Sequence, residues 1–88
     1  MVATPNASRY LQQLCKHFAH KLQVTFDPHA GRITFSIGTC DLTAGAGELR
    51  LSLVAPDDEA MARLQDVVAR HLVRFAFREG LSISWHIP

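Results

Sequence analysis

Cysteine is scarce in this sequence of 88 residues, which contains only Cys15 and Cys40. Two cysteines are too few for a disulfide scaffold, so an apolar core has to hold the fold together. Hydrophobic residues make up 48% of the chain, which is enough to build such a core in one small domain spanning residues 1–88. This use of cysteine is typical of proteins of the reducing cytoplasm.

Long apolar runs and an excess of one charge are also absent. No stretch approaches the roughly 18 apolar residues that cross a membrane, and the first ten residues lack the basic and apolar regions of a secretory signal. Nine basic and eight acidic residues give a net charge of +1. This balance argues against nucleic-acid binding through phosphate neutralisation and against a polybasic membrane anchor. We therefore expect a cytoplasmic protein whose partners are neither nucleic acid nor membrane.

Signatures of catalysis and of cofactor binding are missing as well. The glycines of "TAGAGE" (residues 43–48) do not lead into a helix carrying Lys-Ser or Lys-Thr, as those of a phosphate-binding loop do. No nucleophile elbow, no pair of carboxylates in an apolar setting and no local Ser-His-Asp or Cys-His-Asn signature occurs. The sequence requires no cofactor, and it favours a non-enzymatic protein.

Two amphipathic helices are predicted from apolar residues at three- and four-residue steps. The first apolar stripe consists of Ala7, Tyr10, Leu11, Leu14, Cys15, Phe18 and Leu22. Thr4 or Asn6 is the expected cap of this helix. The second stripe consists of Met61, Leu64, Val68, Leu72 and Phe75. Pro56 or Asp57 is expected at its start, and Gly80 is the expected stop.

Elsewhere apolar residues alternate with polar ones, as in half-buried strands. The alternating apolar positions are Leu22, Val24 and Phe26; Ile33, Phe35 and Ile37; Cys40 and Leu42; Leu49, Leu51 and Leu53; and Leu81, Ile83, Trp85 and Ile87. The parity changes at Gly38, which indicates either a β-bulge or a tight turn between two strands. A further short strand is predicted at residues 2–4.

The predicted element order is therefore (β)αβββαβ. Because each helix and each strand has one apolar face, we predict a two-layer α+β domain. Its mostly antiparallel sheet has four to five strands, and both helices cover one face. The opposite face of the sheet carries polar and charged residues without aromatics, which disfavours an RNA-recognition sheet.

Histidines provide the first candidate site. His71 lies within the apolar stripe of the second helix, where it is either a structural histidine bonded to a backbone carbonyl or to Tyr10, or a ligand or proton-transfer residue in a cleft. His17 and His20 are three residues apart on the first helix and could share a metal ion. A mixed metal site of His17, His71 and Cys40 is also conceivable.

Basic residues near the ends of both helices provide the second candidate site. A small cationic pocket for a carboxylate or a phosphate is predicted if the two helices adjoin, built from His17, Lys21, Arg74 and Arg78. The alternative is ordinary solvated charge, with Arg78 paired to Glu79 or Asp66.

Three segments together resemble a small bacterial family catalogued as domain of unknown function 2218. They are "SRYLQQLCKHFAHK", "GTCDL" and "HLVRFAFREG", and the similarity covers nearly the whole chain. The resemblance implies no activity. It implies at most a loose link with iron handling, because members of the family occur beside or fused to flavin-dependent siderophore-interacting reductases. The motif positions of the family fall on Tyr10, His17, Lys21, Cys40, His71, Arg74 and Arg78.

Three functional interpretations follow. The first is a non-enzymatic accessory domain that binds a small anion or a metal chelate, such as a siderophore-like molecule, at His17, Lys21, His71, Arg74 and Arg78, with Tyr10 nearby. The second is a protein–protein interaction or homodimerisation module that uses the polar sheet face or an open strand edge. The third is a small metal-binding protein or enzyme that uses His17 and His71.

Overall fold

The first helix, α1 (Ala7–Phe18), forms because its apolar stripe faces the interior. The computed structural model describes residues 1–85 of the chain. Asn6 is the N-cap of α1, but its side chain makes no capping hydrogen bond. The other candidate cap, Thr4, uses its Oγ1 to accept a hydrogen bond from the backbone amide of Asn6 at 3.1 Å. The helix ends at Phe18, so Leu22 follows it in a turn.

Five antiparallel strands form one open sheet. They are β1 (Val2–Ala3), β2 (Gln23–Phe26), β3 (Ala30–Phe35), β4 (Gly38–Gly45) and β5 (Glu48–Val54). Their order across the sheet is β1-β5-β4-β3-β2, so β2 to β5 form a meander and the short β1 pairs with the first two residues of β5. The sheet is thus antiparallel, as predicted, and its five strands agree with the predicted four to five.

Gly38 marks a tight turn rather than a bulge. Residues 36 and 37 form the turn, and Phe35 and Gly38 pair directly across it. Gly38 has a φ of 153°, and a Cβ at this position would clash with the carbonyl oxygen of Val54, so only glycine fits. Four strands therefore lie between the two helices, where the predicted order (β)αβββαβ has three.

The second helix, α2 (Asp58–Phe75), begins at the predicted cap. The Asp57 carboxylate accepts a hydrogen bond from the backbone amide of Ala60 at 2.7 Å. The helix ends at Phe75, five residues before the predicted stop at Gly80, and Phe77 beyond it is 72% exposed. Of the predicted final strand, only an isolated bridge between Ile83 and Val2 forms, and Ile87 lies outside the described residues.

The core lies between the sheet and the two helices. The helix α1 packs across β2 to β5, and α2 packs against α1, β4 and β5. The largest fully buried side chains are Leu11, Leu14, Ile33, Leu42, Leu49, Leu64 and Leu72. On the opposite face Arg32 and Asp41 form an ion pair across neighbouring strands. The two-layer α+β class is confirmed, and no helix within residues 1–85 could span a membrane.

Candidate functional site

His17 and His71 meet where the last turns of the two helices come together. Their ring centroids are 4.9 Å apart, with the ring planes tilted by 45°. Phe18 packs against both imidazoles, at 5.0 Å from His17 and 4.8 Å from His71. Phe75 completes the group at 5.5 Å from His17. His17 is exposed and His71 is half-buried, so this aromatic cluster reaches the surface.

Within residues 1–85, His71 has one ring nitrogen bonded and one without a partner. Its Nδ1 lies 2.7 Å from the carbonyl oxygen of Val67, and because a carbonyl only accepts, Nδ1 carries the proton. This is the first of the two partners considered for a structural histidine. Nε2 has no hydrogen-bond partner within residues 1–85, and it is not among buried polar atoms left without a partner there. The backbone bond fixes the ring and leaves Nε2 able to bind a ligand.

The surroundings of His17 are positively charged. Partial burial lowers the pKa of His17, and the nearby positive charges lower it further, in the order His71, His20, Arg74 and Lys21. Among the described residues, no carboxylate is named as a cause of this shift. The structure thus brings together four residues of the predicted cationic set, His17, Lys21, His71 and Arg74. We call these four residues the basic cluster.

Tyr10 lies away from the basic cluster, and Arg78 is not among the residues that shift the pKa of His17. The guanidinium carbon of Arg78 lies 5.5 Å from the ring centroid of Phe77, beyond the end of α2. Neither acid considered as its partner pairs with it within the described residues, since Asp66 pairs with Arg70 at 3.1 Å. Tyr10 is buried in the first turn of α1, about 10 Å along the helix axis from His17.

Cys40 does not approach the two histidines. It is fully buried on β4, and burial, followed by the influence of Cys15, raises its pKa to about 12. A thiol that stays protonated is a poor metal ligand. Within residues 1–85 no three His, Cys, Asp or Glu side chains converge in a way that could hold a metal ion. The pair of histidines can therefore supply two ligands at most.

A polar cluster around Glu79 was not predicted from the sequence. The Glu79 carboxylate accepts hydrogen bonds from Thr4 Oγ1 at 2.8 Å and from the Asn6 side-chain amide. Tyr10 also faces this carboxylate, which raises the pKa of the phenol beyond the effect of its burial. These bonds tie the residues after α2 to the start of the chain. No local signal could reveal them, because the partners are more than 70 positions apart.

Comparison with known proteins places this architecture in a family. Residues 1–86 match the model of a family described as an uncharacterized protein conserved in bacteria, DUF2218. The chain is also similar to a solved structure, the NMR structure of PA4090 from Pseudomonas aeruginosa, with 40% identity and a TM-score of 0.79. That alignment covers 96% of this chain and 88% of the other. No match is found among curated proteins.

Proposed function

We propose that this chain, which belongs to the uncharacterized bacterial family DUF2218, is a non-enzymatic domain that binds a small anion. The proposal rests on the residues at its surface. The binding site is the basic cluster of His17, Lys21, His71 and Arg74. The observation that carries the proposal is the contact between His17 and His71 of two helices, with Arg74 and Lys21 close enough to act on His17.

The charges of the basic cluster are available to a ligand. Arg74 and Lys21 are exposed, and neither forms an ion pair with a residue of the described chain. A guanidinium binds carboxylate or phosphate oxygens through two parallel N–H donors, and an ammonium adds a point charge. The helix dipoles favour one positive charge near each C-terminus. They do not explain why His17 and His71, which belong to two helices, lie against one another.

Binding of an anion would be coupled to protonation of His17. In the free protein, partial burial and then the neighbouring positive charges lower the pKa of His17. An anion seated among them would offset this repulsion and favour the imidazolium form. The imidazolium then donates a further hydrogen bond to the ligand. We therefore expect affinity to increase as pH falls through the range in which His17 titrates.

A metal chelate that carries negatively charged carboxylates is a second, larger kind of anion that the basic cluster could bind. Its carboxylates would interact with Arg74 and Lys21, as those of a simple anion would. The open Nε2 of His71 could add one ligand to a metal that brings most of its own. Ferric citrate is the appropriate probe for this version, and it also tests the link with iron and siderophore handling that the family resemblance implies.

Isothermal titration calorimetry with phosphate, citrate and ferric citrate tests the proposal. We expect at least one of the three to bind, and Arg74→Gln to weaken that binding by about two- to fivefold, the effect of one exposed ion pair. Arg63→Gln is the matched control, because Arg63 is also an exposed arginine of α2 but lies about three turns from Arg74 and two from His71. Absence of binding by all three probes, or an equal loss in both variants, would contradict the proposal.

A further inference from the structure

The strand β2 (Gln23–Phe26) forms one edge of the sheet. It pairs with β3 on one side, and no strand within residues 1–85 pairs with its other side. The opposite edge differs, because the bridge between Val2 and Ile83 places a further segment beside β1. The edge at β2 lies four strand spacings, roughly 19 Å, from β1. An open edge of this kind can add a strand from another chain.

The free hydrogen-bonding groups of β2 belong to Val24 and Phe26. The backbone amide of Asp27 donates to the Ala30 carbonyl at 2.8 Å, so these two residues form a hydrogen-bonded pair at the end of the ladder between β2 and β3. Because hydrogen-bonded pairs alternate along an antiparallel ladder, Thr25 also directs its amide and carbonyl towards β3. The amides and carbonyls of Val24 and Phe26 point the other way. The open edge therefore offers two donors and two acceptors.

The apolar side chains of the same two residues are only partly covered. Val24 is paired with the buried Ile33, so its side chain is on the face of the sheet that the helices cover, and Phe26 shares that face. Val24 is half-buried, and Phe26 is 36% exposed. The cross-strand partner of Phe26 is Gly31, which has no side chain to cover the ring. A strand added at this edge would bury apolar surface that β3 leaves exposed.

Neither charge nor proline protects this edge. Many edge strands carry a lysine or a proline that prevents pairing, but β2, "QVTF", contains neither and has no charged residue. Asp27 follows the strand directly, and Arg32, which lies beside Thr25 on the outer face, is paired with Asp41. The exposed basic residues on α1 and on the turns that border β2 are Arg9, Lys16, His17, His20, Lys21 and His29. The surroundings of the edge are thus positive in sum, so two copies repel weakly and added salt should favour their association.

We propose that two copies of this chain pair through β2, antiparallel and with Thr25 on the twofold axis. Val24 of each copy is then opposite Phe26 of the other, and their free amides and carbonyls form four backbone hydrogen bonds across the axis. On the outer face the two Thr25 side chains meet, and the Gln23 amide can donate to Asp27, whose Oδ2 accepts no hydrogen bond within the described residues. An aromatic residue opposite a β-branched one, and threonine opposite threonine, are favourable cross-strand pairs. The product is one continuous sheet of ten strands, five from each copy, without like charges directly opposite one another.

The neighbouring register, centred on Val24, is less favourable. It places Leu22 opposite Phe26 of the second copy, but the Leu22 amide already donates to the Phe18 carbonyl at 2.9 Å. The carbonyl of Phe26 would therefore lack a donor. The register centred on Thr25 uses only groups that are free in the single chain. It also goes beyond anion binding, because no residue of the basic cluster belongs to the paired stretch 23–27.

Sedimentation equilibrium and amide hydrogen exchange of the full chain, without any added anion probe, test the dimer. We expect the average mass to rise with protein concentration between about 10 µM and about 1 mM, a range that covers weak association through a small interface. The amide hydrogens of Val24 and Phe26 should exchange more slowly in concentrated than in dilute protein. That of Thr25, which bonds to β3, should be protected equally in both. A constant mass over this range, or concentration-dependent protection confined to residues outside β2, would overturn the proposal.

Charge variants at residue 25 test the register. Thr25→Glu and Thr25→Lys each place two like charges opposite one another on the axis, so each should weaken the dimer by about two- to fivefold. An equal mixture of the two variants pairs opposite charges there and should restore association to at least the wild-type level. Thr43→Glu and Thr43→Lys are the matched controls, because Thr43 is an exposed threonine on the same face, two strands further into the sheet. They should leave the Kd of the dimer unchanged, alone or mixed. The proposal fails if the mixture associates no better than its components, or if the variants at residue 43 behave like those at residue 25.

Discussion

The imidazole rings of His17 and His71 lie 4.9 Å apart, although they belong to different helices. Their proximity follows from the way the two helices pack on one face of the sheet, which brings the last turns of α1 and α2 together. The same packing brings Arg74 and Lys21 close enough to lower the pKa of His17. A single feature of the fold thus produces both the aromatic contact and the local excess of positive charge.

Replacing His71 with leucine should separate packing from binding. Leucine fills a similar volume beside Phe18, and the Val67 carbonyl keeps its bond within the helix, so the free energy of unfolding should change by less than about 1.5 kcal/mol. Binding of ferric citrate should be lost or weakened, because the Nε2 lone pair that can ligate its metal is gone. Urea denaturation and calorimetry measure the two effects. Unchanged affinity for ferric citrate in this variant would show that His71 is purely structural.

Stability should decrease as the solution becomes more acidic through the titration range of His17. The pKa of His17 is 6.5 in the unfolded chain and lower in the folded protein, so between these values the unfolded chain binds more protons. The free energy of unfolding should therefore fall as the pH falls through 6.5. His17→Gln should show a shallower dependence in urea denaturation at several pH values. His29→Gln serves as the control, because His29 is exposed and is not among the groups that lower the pKa of His17. Equal slopes for wild type and His17→Gln would contradict this prediction.

Both cysteines should be unreactive in the folded protein. Cys15 and Cys40 are fully buried, and burial raises their pKa values to about 11 and about 12. At pH 8 roughly one thiol in a thousand, or fewer, would be ionised. Titration with 5,5′-dithiobis(2-nitrobenzoate) should detect no fast thiol in native protein and two in guanidinium chloride. Rapid reaction of one thiol without denaturant would place that cysteine at an accessible site.

Glu79 should stabilise the fold above the pH range in which its carboxyl is protonated. Hydrogen bonds from Thr4 and then Asn6 are the main causes that hold its pKa below the ordinary 4.5. For a lowered carboxyl pKa, the stabilisation is present above the unfolded value and is lost as pH falls through the folded value. Glu79→Gln should therefore have a lower Tm at neutral pH and a weaker loss of stability in acid.

The matched control for this prediction is Glu59→Gln. Glu59 is an exposed glutamate of α2 that makes no side-chain hydrogen bond within the described residues. Thermal unfolding followed by circular dichroism between about pH 3 and pH 7 compares the two variants. If both change the acid limb by the same amount, the bonds around Glu79 do not link the residues after α2 to the start of the chain in solution.

The helices and the faces of the strands could be predicted because apolar periodicity reflects burial. Leu64 and Leu72 recur at helical spacing and are fully buried, and the alternating Leu49 begins a strand whose apolar side faces the helices. The alternatives at Gly38 could not be resolved in the same way. A bulge and a tight turn change the parity alike, and only the pairing of β3 with β4 distinguishes them.

The sequence could predict on which side of its helix each candidate residue lies, but not which residues lie at the same level along the helix axis. Tyr10 shares a face with His17, yet the two are separated by about two turns. Arg78 was placed four residues beyond Arg74 on a continuing helix, but α2 ends at Phe75, so that spacing no longer applies. Sequence periodicity indicates which side of a helix a residue occupies. It does not indicate which part of that side the neighbouring helix contacts.

The most direct test of the account is a two-dimensional NMR titration of the full chain with phosphate, citrate and ferric citrate at a pH near 6.5. We predict saturable shifts confined to His17, Lys21, His71 and Arg74 and their immediate neighbours, together with a higher pKa of His17 in the bound state. The proposal that the basic cluster is an anion-binding site would be contradicted if none of these resonances shifts with any of the three probes. It would also be contradicted if shifts are spread over lysines and arginines across the whole surface.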